Sequence, residues 1–276
     1  NDSTLCSSDY NQTELLTNYA ENLIIPGLET FEKSLVSLQM VWQGYASNGV
    51  SLKELKDSFT ETYLELQKIQ CFDFGPMESQ IFMEKANYFP LNQGALAQSI
   101  SSANINFSEP ERFDIGFPAL ELLFFGLSNS DIDSFNTDQT RQYIGAILKD
   151  LVQRIKTVNA DWVSYKTTFI NAQGTDAGSS LSLIVNALNK SFEISKRDRI
   201  GIPSGVLTLG LKQPELVEAP HSFISNKLLL ANLEYSKLFF QGKHGGINGE
   251  GLDDVLAYIN ADKNERGLRN SIEDNY

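Results

Sequence analysis

Imidazoles and thiols, the side chains most often used for acid–base, nucleophilic and metal chemistry, are scarce in these 276 residues. There are two histidines, His221 and His244, and two cysteines, Cys6 and Cys71. A catalytic zinc takes three protein ligands and keeps a fourth position open for water, so such a site here must draw on carboxylates. Glu121 is the carboxylate that stands out, because it sits between Leu120 and Leu122 in the apolar run from Phe117 to Phe125. Glutamate is seldom buried unpaired, since desolvation disfavours its charged form. Either it neutralises Arg112, Arg199 or the amides of a neighbouring helix start, or it is a binding or acid–base group in a cleft, and the two readings overlap. His221, between Pro220 and Ser222, reads as the opening of a helix, where a lone histidine serves as a surface or hydrogen-bonding group or as a ligand. Ser222 is expected to cap that helix, since neither it nor Ser225 sits in a nucleophile elbow. His244, among glycines, is expected to be exposed. The segment Gly201-Ile202-Pro203-Ser204-Gly205 is either a tight crossover needing positive φ at glycine or a nest of amides for an anion. No phosphate loop, dinucleotide fingerprint or paired-cysteine metal site is present.

The elements that must position these residues read as helices. Apolar residues at Ile144, Leu148, Leu151, Ile155, Val158, Trp162, Tyr165 and Phe169 alternate in fours and threes, one stripe on a long helix from near Asn136 to about Asn171. A second stripe runs from Leu28 to Tyr45, after Pro26, which is expected to kink or restart the first helix. Ser51 and Glu54 have capping-box spacing and open a helix with Leu52, Leu55, Phe59, Tyr63, Leu66 and Ile69 inward. Pro118 suits the first turn of a helix that Gly126 closes. Further helices are expected at 179–198 and 222–241, joined by a crossing loop at 200–220 rich in glycine and proline. Lys243–Gly251 reads as a flexible turn. The expected fold is all-α, two helical bundles packed against each other with a cleft between them. Residues 1–130 form the first and 131–276 the second, with Leu268–Tyr276 opening a helix that no stop signal ends.

Composition removes several functions. The formal net charge is −13, from 35 acidic and 22 basic side chains, which repels nucleic acid and anionic membranes. The one basic run, Lys196-Arg197-Asp198-Arg199, reads as a solvated helix end. No apolar stretch approaches the ~20 residues of a membrane span. The chain starts at Asn1 without Met, so a leader is expected to have been removed. The cysteines leave one bridge, two free thiols and a lipid-anchor cysteine upstream all open.

Four segments together resemble the imelysin family: Asn18 to Pro26, Gln67 to Pro76, Gly116-Phe117-Pro118-Ala119-Leu120-Glu121, and Ile200 to Gly205 followed by Glu218-Ala219-Pro220-His221-Ser222. The third aligns with the family's Gly-x-His-x-x-Glu signature, with Pro118 at the His position. His and Glu three apart share a helix face and can reach one metal ion, but proline has no ligand atom. The resemblance implies a protein of the bacterial cell envelope, periplasmic or held at the outer membrane by a lipid anchor, and associated with iron acquisition. It also implies a site between the bundles, here drawn from Gly116, Pro118, Glu121, Gly201, Pro203, Gly205, Glu218, His221 and Ser222. Glu121 and His221 are the candidates for holding iron or zinc. The expected function is a non-catalytic accessory or binding component in iron or haem acquisition, with envelope iron-uptake components or a small ligand as partners. The alternatives are a metal-dependent peptidase with rebuilt ligands and a structural module that recognises another protein.

Overall fold

A computed structural model describes residues 10–109, 112–126, 137–263 and 266–274. The chain is helical almost throughout. α1 (Gln12–Asn18) passes through a π-helical turn (Tyr19–Ile24) into α2 (Ile25–Ala46), followed by α3 (Leu52–Lys68) and a 3-10 turn at Gln70–Phe72. The short helices α4 (Pro76–Ser79), α5 (Phe82–Ala86) and α6 (Gln93–Ser101) lead to α7 (Gly116–Phe125) and the long α8 (Asp138–Asn171). Then come α9 (Ser180–Ile194), a second π turn (Ser195–Gly201), α10 (Ser225–Phe240), α11 (Leu252–Tyr258) and α12 (Leu268–Glu273). Strand structure among the described residues is confined to two ladders of two-residue strands, Lys243–His244 with Ile247–Asn248 and Asp262–Lys263 with Arg266–Gly267.

The sequence signals act where they occur. Ser51 Oγ accepts from the Glu54 amide at 3.2 Å while the Glu54 carboxylate takes the Ser51 amide at 2.8 Å, the reciprocal cap that starts α3. Along α8 the stripe from Ile144 to Trp162 and Phe169 is buried, and Trp162 packs edge-on against Phe74, Tyr165 and Phe169. Pro26 does not interrupt the first helix, which stays helical from Gln12 to Ala46. The Ile25 amide bonds back five residues to the Ala20 carbonyl, widening the turn just ahead of the proline. The same device recurs before Pro203, where the Ile202 amide reaches the Arg197 carbonyl at 2.9 Å. A proline ring clashes with the carbonyl four residues back, and a widened turn relieves that clash without ending the helix.

Helices from either side of residue 130 pack together. α8 lies along α2, α10 along α3, and α7 touches α3, α5 and α8. The buried apolar side chains form one contiguous cluster, from Leu15 on α1 to Leu252 on α11. Residues 127–136, which hold the expected boundary, fall outside the described residues. So does Cys6, while Cys71 is buried and its thiol is pushed up to about 12 by that burial.

Candidate functional site

α7 begins where only glycine fits. Gly116 has φ +80°, and a Cβ there would stand 2.4 Å from the Ala86 carbonyl oxygen and 2.6 Å from that of Lys85. The close approach seats α7 on the end of α5. Pro118 lies in the first turn, where the amide it lacks would have no intrahelical acceptor. Phe117 packs against Phe31, Phe59 and Tyr63, and Phe124 against Trp42 and Phe59, so α7 is enclosed by aromatic rings.

Glu121, one turn on from Phe117, is 1% exposed. Its carboxylate accepts a hydrogen bond from the backbone amide of Ser222. Burial raises the Glu121 pKa above the ordinary 4.5, and the bonds from Ser222 and the nearby His221 offset only part of that. Glu121 and His221 line one cavity of about 50 Å³, together with Pro118, Phe89, Pro90, Leu91, Gln93, Glu215, Val217, Ala219 and Pro220. One or two waters occupy such a volume, at roughly 30 Å³ each, whereas drug-sized pockets begin near 300 Å³. A small ion or the end of a larger ligand fits inside. Pro90, Gln93 and Glu215 are exposed and rim its mouth.

The wall opposite Glu121 is a strained turn. Ala219 and Phe223 adopt φ +55° and +58°, a conformation that costs non-glycine residues on the order of 1–2 kcal/mol each. Neither His221 nor Ser222 opens a helix: α10 starts at Ser225 and its N-cap, Ile224, has no side-chain acceptor. The Ser222 hydroxyl lies 3.5 Å from the Ala219 carbonyl oxygen and caps no helix, and together with the Ser222 amide it favours the Glu121 carboxylate.

Behind this turn lies a polar cluster that the sequence reading missed. Glu218, 1% exposed, accepts from Gln67 Nε2 at 2.8 Å and Asn87 Nδ2 at 2.7 Å through one oxygen, and from Arg199 Nε at 2.5 Å through the other. Arg199 also donates to Ser195 Oγ at 2.9 Å, Gln67 Oε1 at 2.6 Å and Gln70 Oε1 at 2.7 Å. Tyr63 OH donates to Asn87 Oδ1 at 2.7 Å, and Asn232 Nδ2 to the Gln67 carbonyl at 3.1 Å. The basic run therefore divides: Lys196 and Arg197 are exposed, while Arg199 is turned inward by the π turn ahead of Pro203. A signal was present in the spacing Ser191, Ser195, Arg199, which continues the buried face of α9 in steps of four.

The remaining expected site residues fall elsewhere. Gly201, Pro203 and Gly205 do not line the cavity, and the amides of Ile202, Ser204 and Gly205 already donate to Arg197, Ile200 and Ile202. An anion nest is thereby excluded in favour of the crossover, with φ +89° at Gly205. His244 is half-buried in a hairpin, its Nδ1 2.9 Å from Tyr235 OH, and burial lowers its pKa below 6.5.

A catalytic metal does not fit these residues. Pro118 offers no donor, one Glu121 oxygen is taken by the Ser222 amide, and among the described residues no three His, Cys, Asp or Glu side chains converge to hold an ion.

The fold and site define an all-helical bundle with a buried carboxylate facing a strained, histidine-bearing turn. The chain belongs to the imelysin family, whose model matches residues 30–274. It is 21% identical over 244 residues to the iron-regulated protein A of Synechococcus elongatus, an alignment taking in 82% of this chain and 64% of that relative. The chain thus spans just under two thirds of this relative's length. Among solved structures it is similar to an imelysin-like protein from Psychrobacter arcticum, with TM-score 0.69 and 18% identity over 95% of this chain and 80% of the other. It is also similar to a protein assigned as an iron-regulated protein A precursor from Parabacteroides distasonis, with TM-score 0.72 and 11% identity over 89% and 78%. At these identities the structural matches establish the shared fold.

Proposed function

We propose that this chain is a non-catalytic, imelysin-like accessory component of iron or haem acquisition in the bacterial cell envelope, binding its cargo or partner at the Glu121 cavity. The observation that carries this reading is Pro118, which stands where the family signature has its histidine and removes the ligand pair from α7. What remains is a carboxylate made less acidic by burial, backed by an amide and a histidine, in a cavity large enough for an end group. Such a site holds a polar group of an iron complex by hydrogen bonding while the bulk of the complex rests at the rim. The link to iron and, through a precursor form, to export is supported by the relatives, an iron-regulated protein A and an iron-regulated protein A precursor. Among the described residues no helix is long and apolar enough to cross a membrane.

Absorbance titration with haemin, and equilibrium dialysis against ferric citrate, test the reading. The wild-type chain is expected to bind one of the two, and Glu121→Gln to weaken that binding at least tenfold with the helical circular dichroism spectrum unchanged. Binding of neither probe, or equal binding by the glutamine variant, overturns it.

A further inference from the structure

Glu218 stands three residues before His221, yet its carboxylate is spent on Gln67, Asn87 and Arg199 and takes no part in lining the Glu121 cavity. We propose that Glu218 is a positioning residue: clamped by Arg199, Gln67 and Asn87, it holds the Ala219–Phe223 turn in the conformation that presents the Ser222 amide and His221 to Glu121. The proposal rests on reading the Glu121 cavity as the binding site, and it assigns the control of that cavity to groups lying outside it.

The turn needs a clamp. Two of its residues, Ala219 and Phe223, hold left-handed φ without being glycine, and Pro220 between them has no amide to contribute. Packing does not repay this strain at the far end, because Phe223 is 90% exposed. Fastening is concentrated at Glu218, whose side chain takes three donors and whose carbonyl takes the Ser225 hydroxyl. The clamp is itself anchored. Arg199 is tied to Ser195, Gln67 and Gln70 and rides on the π turn ahead of Pro203, so α3, the second π turn and the site turn meet at one ion pair. Its guanidinium lies 5.8 Å from the centre of the Phe89 ring, and Phe89 also lines the cavity, which puts the cluster directly behind the cavity wall. An ion pair this buried loses far more when one partner is neutralised than a surface pair does, because the other charge is stranded out of water.

Amide hydrogen exchange read by NMR on the ligand-free chain tests the proposal, with Glu121→Ala as the reference for a Ser222 amide that has lost its side-chain acceptor. In Glu218→Gln, which keeps side-chain volume and removes the charge, the Ser222 amide is expected to exchange at least tenfold faster and its proton signal to move toward that of the reference. Amides of Asp138–Asn171 are expected to keep their protection, which a general loss of stability does not allow. Should Glu218→Gln fail to fold, Asn87→Ala removes one donor from the same carboxylate and is expected to shift the Ser222 amide in the same direction by less. An unchanged Ser222 amide in either folded variant, or a uniform loss of protection across the molecule, overturns the proposal. Because the amide is read without ligand, a failure of haemin or ferric citrate to bind leaves this result standing.

Discussion

At Glu121 two opposing effects meet, and their balance has a sign that experiment can read. Burial disfavours the carboxylate and raises its pKa, while the Ser222 amide and His221 favour it by less. A folded-state pKa above the unfolded value means the folded chain binds more protons in the window between the two. The group's contribution to stability is therefore fully present below the ordinary value of 4.5 and is lost as pH rises through the folded value. Glutamine at this position does not titrate. The melting temperature of Glu121→Gln relative to wild type is expected to be more favourable at pH 7 than at pH 4, measured by calorimetry in matched buffers. A difference that stays constant or falls with pH contradicts the burial argument. The oddity of Glu121 was legible in the sequence, as a lone charge in an apolar run. Its partner was legible only as one of several candidates, because a backbone amide leaves no mark in composition.

The elements follow from local chemistry more closely than the site does. The α8 stripe, the Ser51–Glu54 box and the start of α7 at Gly116-Phe117-Pro118 are periodicities or caps, and periodicity survives folding. What the sequence hid were the π turns, since widening at Ile25 and Ile202 is a response to the following proline that no stripe announces. The inward aim of Arg199 was hidden with them, and a run with three cations reads as solvated until one of them is turned. Gly116 offers the sharpest test at this scale. Gly116→Ala meets both the left-handed penalty and the carbonyls of Lys85 and Ala86, which do not yield as a flexible side chain does. The expected cost is ~2–5 kcal/mol, the sum of a left-handed residue and an overpacked contact. Urea denaturation measures it, and a loss below about 1 kcal/mol, the lower edge for a left-handed residue alone, shows that α7 can shift away from α5.

Across the whole molecule, helices from both halves of the chain share one buried cluster, and the site lies where that sharing occurs. α7 brings Glu121, α3 brings Gln67, the 3-10 turn after it brings Gln70, the π turn brings Arg199, and the approach to α10 brings Glu218, His221 and Ser222. The all-helical character was plain in the sequence, but this convergence was not, because it depends on which faces of distant helices meet. The polar groups so gathered are held by one another: Glu218 by three donors, Arg199 by four acceptors, Glu121 by a turn that strain would otherwise release. Hydrogen-bonded groups in fixed positions suit recognition, and with Pro118 in the signature they leave no ligand pair on α7 to activate water. The most direct test of a binding role over a hydrolytic one is the hydrolysis of reduced, carboxymethylated casein by the purified chain with zinc or ferrous iron added, followed by release of amino groups. No hydrolysis above the buffer rate is expected with either metal. Hydrolysis that a chelator abolishes, added zinc restores and Glu121→Ala removes would contradict the account.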